Sequence, residues 1–218
     1  MKITLYLDVI SSWCFWATPA WQRLKAAYEG RVEFAWKIAL MDASGLPVSA
    51  EQLAWFYRRS ETLTGAEIKL STGWFEAGRP EYVAPNAVAE AAKDFGLIDD
   101  RVRDAIARAA VIEGRKIGDL AEAVRIAVEA VPELDSTALS ERAQSQEVLQ
   151  RLRATTAEFH ALDIDQRPAF VLENAIGDRA VLSGIVHAEP LLALVGSMLA
   201  DEAVQAAYGG RFGGPPQA

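Results

Sequence analysis

The side chains able to do chemistry gather in one short run, Ser11-Ser12-Trp13-Cys14, between an alternating stretch and a helical one. A helix start concentrates unpaired N–H groups and roughly half a positive charge, so an anion placed there is stabilised. The same field lowers the pKa of a cysteine. A serine hydroxyl gains too little from it to ionise at neutral pH, and no histidine stands near Ser11 in sequence to act as its base. Ser11 therefore reads as a hydrogen-bond donor rather than a nucleophile, or, with Ser12, as a helix cap. Cys14, one step inside the helix, reads as a small buried side chain or as a reactive monothiol that forms mixed disulfides.

Cys14 is the chain's one cysteine. An intramolecular disulfide and a thiolate-rich metal site are thereby excluded. The two histidines, His160 and His187, have no zinc-like spacing, so no metal is expected. Further candidates lie far along the chain. Arg167, beside Pro168, offers a guanidinium for a substrate carboxylate or for a surface salt bridge. Asn86, in Ala84-Pro85-Asn86-Ala87, reads as a helix cap. Trp13, Trp16, Trp55 and Trp74 are expected to line an aromatic pocket, while Trp21 and Trp36 read as core.

The elements that must position these residues follow from periodicity. Lys2 to Asp8 alternates, with Ile3, Leu5 and Leu7 on one face and Thr4 and Tyr6 on the other, which predicts a strand. A helical pattern runs from Cys14 to a stop at Gly30, with Pro19 predicting a kink or a late start. Arg31 to Ala39 reads as a second strand, ended by the turn-rich segment Asp42 to Pro47. Ser49, with Gln52 as its capping-box partner, opens a helix over 50–63. Alanine-rich helical runs follow near 84–95, 99–114, 119–131 and 145–160, with no strand signal among them. Strands return at Ala169 to Glu173 and Ala180 to Ser183, before a last helix from about Glu189 to Tyr208. The order β-α-β, helical block, β-β-α matches an α/β thioredoxin fold carrying a large all-helical insertion. The expected division is 1–48 with 162–210 as the thioredoxin-like part, 49–161 as the insertion and 211–218 as a flexible, Gly/Pro-rich tail.

Composition narrows the partners. A formal net charge of −8 over 218 residues argues against nucleic acid and anionic membranes, which select clustered Lys and Arg. No apolar segment approaches the ~20 residues of a membrane span, and no basic n-region leads an apolar stretch. A cytoplasmic protein acting on a small molecule is expected.

Four segments carry a resemblance that spans nearly the whole chain. Asp8 to Phe15 resembles the stretch around Cys-Pro-Trp-Cys in DsbA-type oxidoreductases of the FrnE-like subgroup. Glu113-Gly114-Arg115-Lys116-Ile117-Gly118-Asp119 is similar to that group's Glu-Gly-Arg-Asp-Ile segment. Arg167-Pro168-Ala169-Phe170-Val171-Leu172 resembles its cis-proline segment, and Leu182-Ser183-Gly184 followed by Pro190-Leu191-Leu192 its last strand and helix. Aligned on Trp13 and Cys14, the family's first cysteine falls on Ser11 and its second on Cys14. Ser12 replaces the motif proline, and Arg167 the valine before the cis-proline. Serine at the first position resembles the related kappa-class glutathione transferases and 2-hydroxychromene-2-carboxylate isomerases. There it is thought to hydrogen-bond the sulfur of glutathione. The resemblance thus implies a DsbA-like fold and an oxidoreductase, isomerase or transferase using glutathione or another low-molecular-weight thiol. Catalytic positions would be Ser11 and Cys14; binding positions would be Ser12, Trp13, Asn86, Arg167, Pro168 and Ser183. Ser183 is followed by Gly184, so the kappa-class Ser-Asp pair is not evident. Kappa-class relatives also imply a homodimer.

Overall fold

The computed structural model describes residues 1–213. Four strands, β1 (Lys2–Leu7), β2 (Glu33–Ile38), β3 (Ala169–Glu173) and β4 (Arg179–Ser183), form one sheet in the order β2-β1-β3-β4. β2 runs parallel to β1, and β3 runs antiparallel to both β1 and β4. The β1–β2 pairing needs a crossover, which α1 (Ser12–Ala27) supplies. β3 and β4 need only a short connection, which turns at Gly177 with φ at 96°.

Alternation along β1 decides what covers each face. Ile3, Leu5 and Leu7 are buried with Trp21 and Leu24 of α1 and with Leu191 and Val195 of α8 (Ala188–Phe212). Tyr6 points to the other face and packs with Val171 against Phe159 of α7 (Gln146–His160). Thr155 of α7 also donates to the Ile38 carbonyl, 2.6 Å away, fixing that helix across the end of β2.

Between β2 and β3 lie α2 (Ala50–Thr64), α3 (Val83–Ala92), α4 (Arg101–Val111), α5 (Leu120–Ala130), α6 (Ser136–Ala143) and α7. α3 is the axis of this layer: every residue from Pro85 to Ala92 is buried. Its alanines, at 83–92 the densest run in the chain, let α4, α5, α6 and α7 approach closely. Ser49 caps α2 by accepting the Gln52 N–H, and the Gln52 side chain reaches back to the Val48 N–H, one residue earlier than a standard capping box.

Three expectations change. α1 begins at Ser12 and passes through Pro19 without a late start. An additional helix, α6, fills 136–143, capped by Asp135 accepting from the Ala138 N–H at 2.9 Å. α8 continues to Phe212, so the Gly/Pro-rich end is helical over 209–212, including the first two residues of the expected tail. Gly213 follows the helix, and 214–218 of that tail lie outside the described residues. The Glu113–Asp119 segment performs a packing role. Gly114, with φ at 70°, lies against Gly73, and Arg115 donates to Glu122 and Glu129, at 2.6 and 2.7 Å.

Candidate active site

Ser11 closes the turn after β1, and its oxygen accepts the Cys14 N–H at 3.3 Å. It is therefore the cap of α1, and only 7% of its surface is exposed. Capping uses the oxygen as acceptor and leaves the O–H proton free to donate. The two sequence readings of Ser11 are thus compatible. Ser12 is the first helical residue and makes no capping bond.

The turn below Ser11 is held by a buried polar cluster. Asp8, 2% exposed, accepts from the Ile10 N–H, the Met41 N–H and the Asn86 side-chain amide, all within 3.1 Å. Asn86 also accepts from the Val9 N–H and donates to the Tyr82 carbonyl. Burial pushes the Asp8 carboxyl up, opposed by those three donors and by Arg167. Asn86 is fully buried in α3, three residues past its start. It does not cap that helix; it fastens α3 to the β1–α1 turn.

Residues 39–41, just after β2, are fastened from every side. The Ala39 N–H donates to the Leu7 carbonyl and the Leu40 N–H to the Thr156 hydroxyl, while the Met41 N–H reaches Asp8. The Ala39 and Leu40 carbonyls accept from the Arg167 guanidinium at 2.6 and 2.7 Å. Each backbone group named here has its partner, as a buried segment requires. Arg167 also donates to the Asp165 carbonyl and lies over the Phe159 ring, 4.4 Å from its centroid. It forms no salt bridge among the described residues; three of its N–H donors go to main-chain oxygens. The Arg167–Pro168 peptide is cis. Pro168 is buried, its carbonyl taken by the Gly184 N–H at 2.8 Å, and it lines neither cavity beside Ser11. Ser183 turns away too, donating to the Gln166 carbonyl.

Two cavities meet at Ser11, Trp13, Met41, Gly45 and Arg59. The larger, about 400 Å³, is polar and adds Asp165, Gln166, Arg167 and Gly184. The smaller, about 210 Å³, is walled by Leu53, Phe56, Tyr57 and Trp74 of the helical layer and by Ser12. Its wall is stiffened where the Trp74 indole N–H donates to the Tyr57 hydroxyl at 2.6 Å. Of the four tryptophans expected around a pocket, Trp13 and Trp74 line this one. Trp16 instead donates to Ser60, and Trp55 stands exposed against Phe56. Trp21 and Trp36 are core, as the sequence indicates.

Cys14 is free and half-buried, in the first turn of α1. Desolvation pushes its thiol up to about 11, opposed by the Ser11 hydroxyl, by a hydrogen bond to the Asp8 main chain and by Arg167, with the Asp8 charge adding to the rise. Burial thus works against the thiolate that a monothiol mechanism needs. Asp8 and Arg59 escape a reading by motif. Asp8 was within reach, as the acid ending the strand just before the Ser11 run; Arg59 reaches the site only because α2 folds back over α1.

A four-stranded thioredoxin sheet with a helical insertion, a cis-proline loop and a capped helix head facing it define the DsbA class. The chain belongs to the DSBA-like thioredoxin domain family, whose model matches residues 2–192. Among solved structures, a candidate protein disulfide isomerase from Nitrosomonas europaea superposes with a TM-score of 0.76 at 19% identity, covering 92% of this chain and 98% of that one. The cytosolic disulfide reductase DsbM from Pseudomonas aeruginosa gives 0.73 at 18%, covering 91% and 98%. A structure of DsbM with GSH gives 0.71 at 17%, covering 91% and 99%. A 2-hydroxychromene-2-carboxylate isomerase gives 0.59 at 14%, covering 95% and 98%. These likenesses establish the fold. No curated protein matches the sequence. Among the described residues no helix is long and apolar enough to cross a membrane.

Proposed function

We propose that this protein is a thiol-dependent oxidoreductase or isomerase that borrows its reactive sulfur from an external low-molecular-weight thiol, glutathione first among them. One observation carries the reading. The Ser11 hydroxyl sits at the head of α1 on the wall shared by both cavities, while burial raises the pKa of the chain's own sulfur, which lines neither. A bound thiolate at Ser11 receives the O–H proton as a hydrogen bond and feels the positive end of α1. Its sulfur then faces the aromatic cavity, which suits a small and mainly apolar electrophile.

The chemistry balances without a protein nucleophile. With a disulfide substrate, the external thiolate forms a new S–S bond to one sulfur and the other leaves as thiolate, which takes a proton from water. A second external thiol completes the reduction. With an isomerisable carbon electrophile, the thiolate adds and is later expelled, so it is regenerated. A cytoplasmic setting supplies such thiols in reduced form, and the cytosolic neighbour DsbM, known with GSH, agrees with that setting.

Titration with reduced glutathione, followed by tryptophan fluorescence, tests the proposal because Trp13 lines the shared wall. Saturable quenching that weakens in Ser11→Ala and persists in Cys14→Ala is expected. A flat response, or one lost in Cys14→Ala and kept in Ser11→Ala, overturns it.

A further inference from the structure

The last turns of α8 carry an apolar stripe that the rest of the chain leaves uncovered. The helix is seated on the body through Leu191, Val195 and Met198. Its last polar hold is Glu202, which accepts from the Ala175 N–H at 2.7 Å and lies 3.7 Å from the Met1 ammonium. Every residue from Ala203 to Phe212 is exposed, so about 15 Å of helix projects beyond that hold. Val204, Tyr208 and Phe212 follow at four-residue steps and are 70%, 62% and 61% exposed. Val204 falls half a turn round the helix from the buried Val195, so the stripe looks away from the body. The Tyr208 and Phe212 rings pack on each other, centroids 4.8 Å apart. Gly209 and Gly210 weaken the helix here, and a helical end of this kind draws its stability from whatever covers its apolar side.

We propose that this stripe is a self-association surface, on which a second copy of the chain lays its own α8 antiparallel about a two-fold axis. The charge pattern selects that occupant. Asp201 lies three residues before Val204 and Arg211 three after Tyr208, which sets both charges on the face of the stripe. Neither has an ion-pair partner among the described residues, and the Arg211 guanidinium lies over the Phe212 ring, 5.1 Å from its centroid. With the two-fold axis level with Ala206, Val204 meets the partner's Tyr208 and Asp201 meets the partner's Arg211, because each pair straddles Ala206 evenly. One register thus satisfies the apolar seam and the ion pairs together, and symmetry makes each contact twice. A parallel pair instead sets Asp201 against Asp201 and Arg211 against Arg211. The face bears one acid and one base, not the Lys and Arg excess that an anionic membrane selects. It projects from the end of the body where Met1 meets Glu202, whereas Ser11 follows the far end of β1, so pairing leaves both cavities open and stands independently of the proposed function.

Sedimentation velocity of the full chain from about 1 to about 300 µM tests this, with circular dichroism confirming that each variant is folded. Wild type is expected to pass from monomer to dimer with a Kd of about 10–100 µM, since a seam of three helical turns buries little area. Tyr208→Ser weakens the dimer about tenfold or more. Asp201→Arg and Arg211→Asp each weaken it about tenfold, because a homodimer of either variant sets like charges opposite each other. An equimolar mixture of those two variants rebuilds both ion pairs and is expected to dimerise like wild type. A wild type that stays monomeric throughout overturns the proposal. So does a dimer indifferent to all three substitutions, which would lie on another surface, or a mixture that stays as weak as its components. Flotation of a monomeric wild type with phosphatidylserine-rich vesicles, lost in Tyr208→Ser, would assign the stripe to a membrane instead and overturn it too.

Discussion

Following alkylation of Cys14 as pH rises measures whether the chain's own sulfur takes part. A thiol pushed up to about 11 is ionised in roughly one molecule in ten thousand at pH 7, about a hundredfold less than at the ordinary value of 9.0. Alkylation by iodoacetamide is expected to be slow at pH 7 and to climb about tenfold per pH unit up to about 11. The same shift has a consequence for stability. The folded value lies above the unfolded one, so the stabilisation from keeping the thiol neutral is fully present below pH 9 and is lost as pH rises through 11. A two-unit rise corresponds to at most about 3 kcal/mol. Urea unfolding of wild type and Cys14→Ala at several alkaline pH values isolates this contribution, because tyrosines and lysines titrate alike in both. Cys14→Ala leaves the Ser11 cap intact, since the cap bonds to a main-chain N–H. An alkylation rate already on its plateau at or below pH 8 refutes the reasoning and restores Cys14 as a nucleophile.

Asn86→Ala removes three hydrogen bonds and leaves the buried Val9 N–H without a partner, so a loss of about 2–3 kcal/mol is expected from urea midpoints. A change below about 0.5 kcal/mol would show that the cluster under Ser11 does not hold the turn. Gly114→Ala places a Cβ about 3.0 Å from the Gly73 Cα, at a φ of 70° that side chains avoid. It should cost about 2 kcal/mol or more, whereas Gly65→Ala, at a similar φ with open space around it, should cost only the backbone part; equal losses would remove the packing argument.

Strands were legible because period-two alternation survives any tertiary context, and β1 shows it most clearly: Ile3, Leu5 and Leu7 face α1 and α8 while Tyr6 faces α7. Long helices were legible for the same reason. α6 was not, because eight residues give barely two turns of periodicity and the polar run from Ser136 reads as loop. Asn86 misled because Pro85-Asn86 looks like a helix start, yet α3 begins at Val83 and the asparagine lies inside it. Its partners are 77 and 78 positions away, beyond any local pattern. Arg167 lines the larger cavity, but nothing in sequence shows that it also donates to the Ala39 and Leu40 carbonyls. The head of α1 was readable because capping is local: Ser11 and Cys14 are three residues apart.

α7 belongs in sequence to the helical block, yet Phe159 on it covers the sheet face that Tyr6 and Val171 present. The hydrophobic core likewise runs without a break from the sheet through α1 into α3, α4 and α5. Excision of the block would therefore strip one side of the sheet to water, and a shortened scaffold made by joining β2 to β3 would have two faces to hide and helices for only one. The inserted segment is structural cladding as much as a cleft wall. Redesign of substrate preference should then work through the inner surface of α2, where residues touch the cavity, and leave α7 untouched.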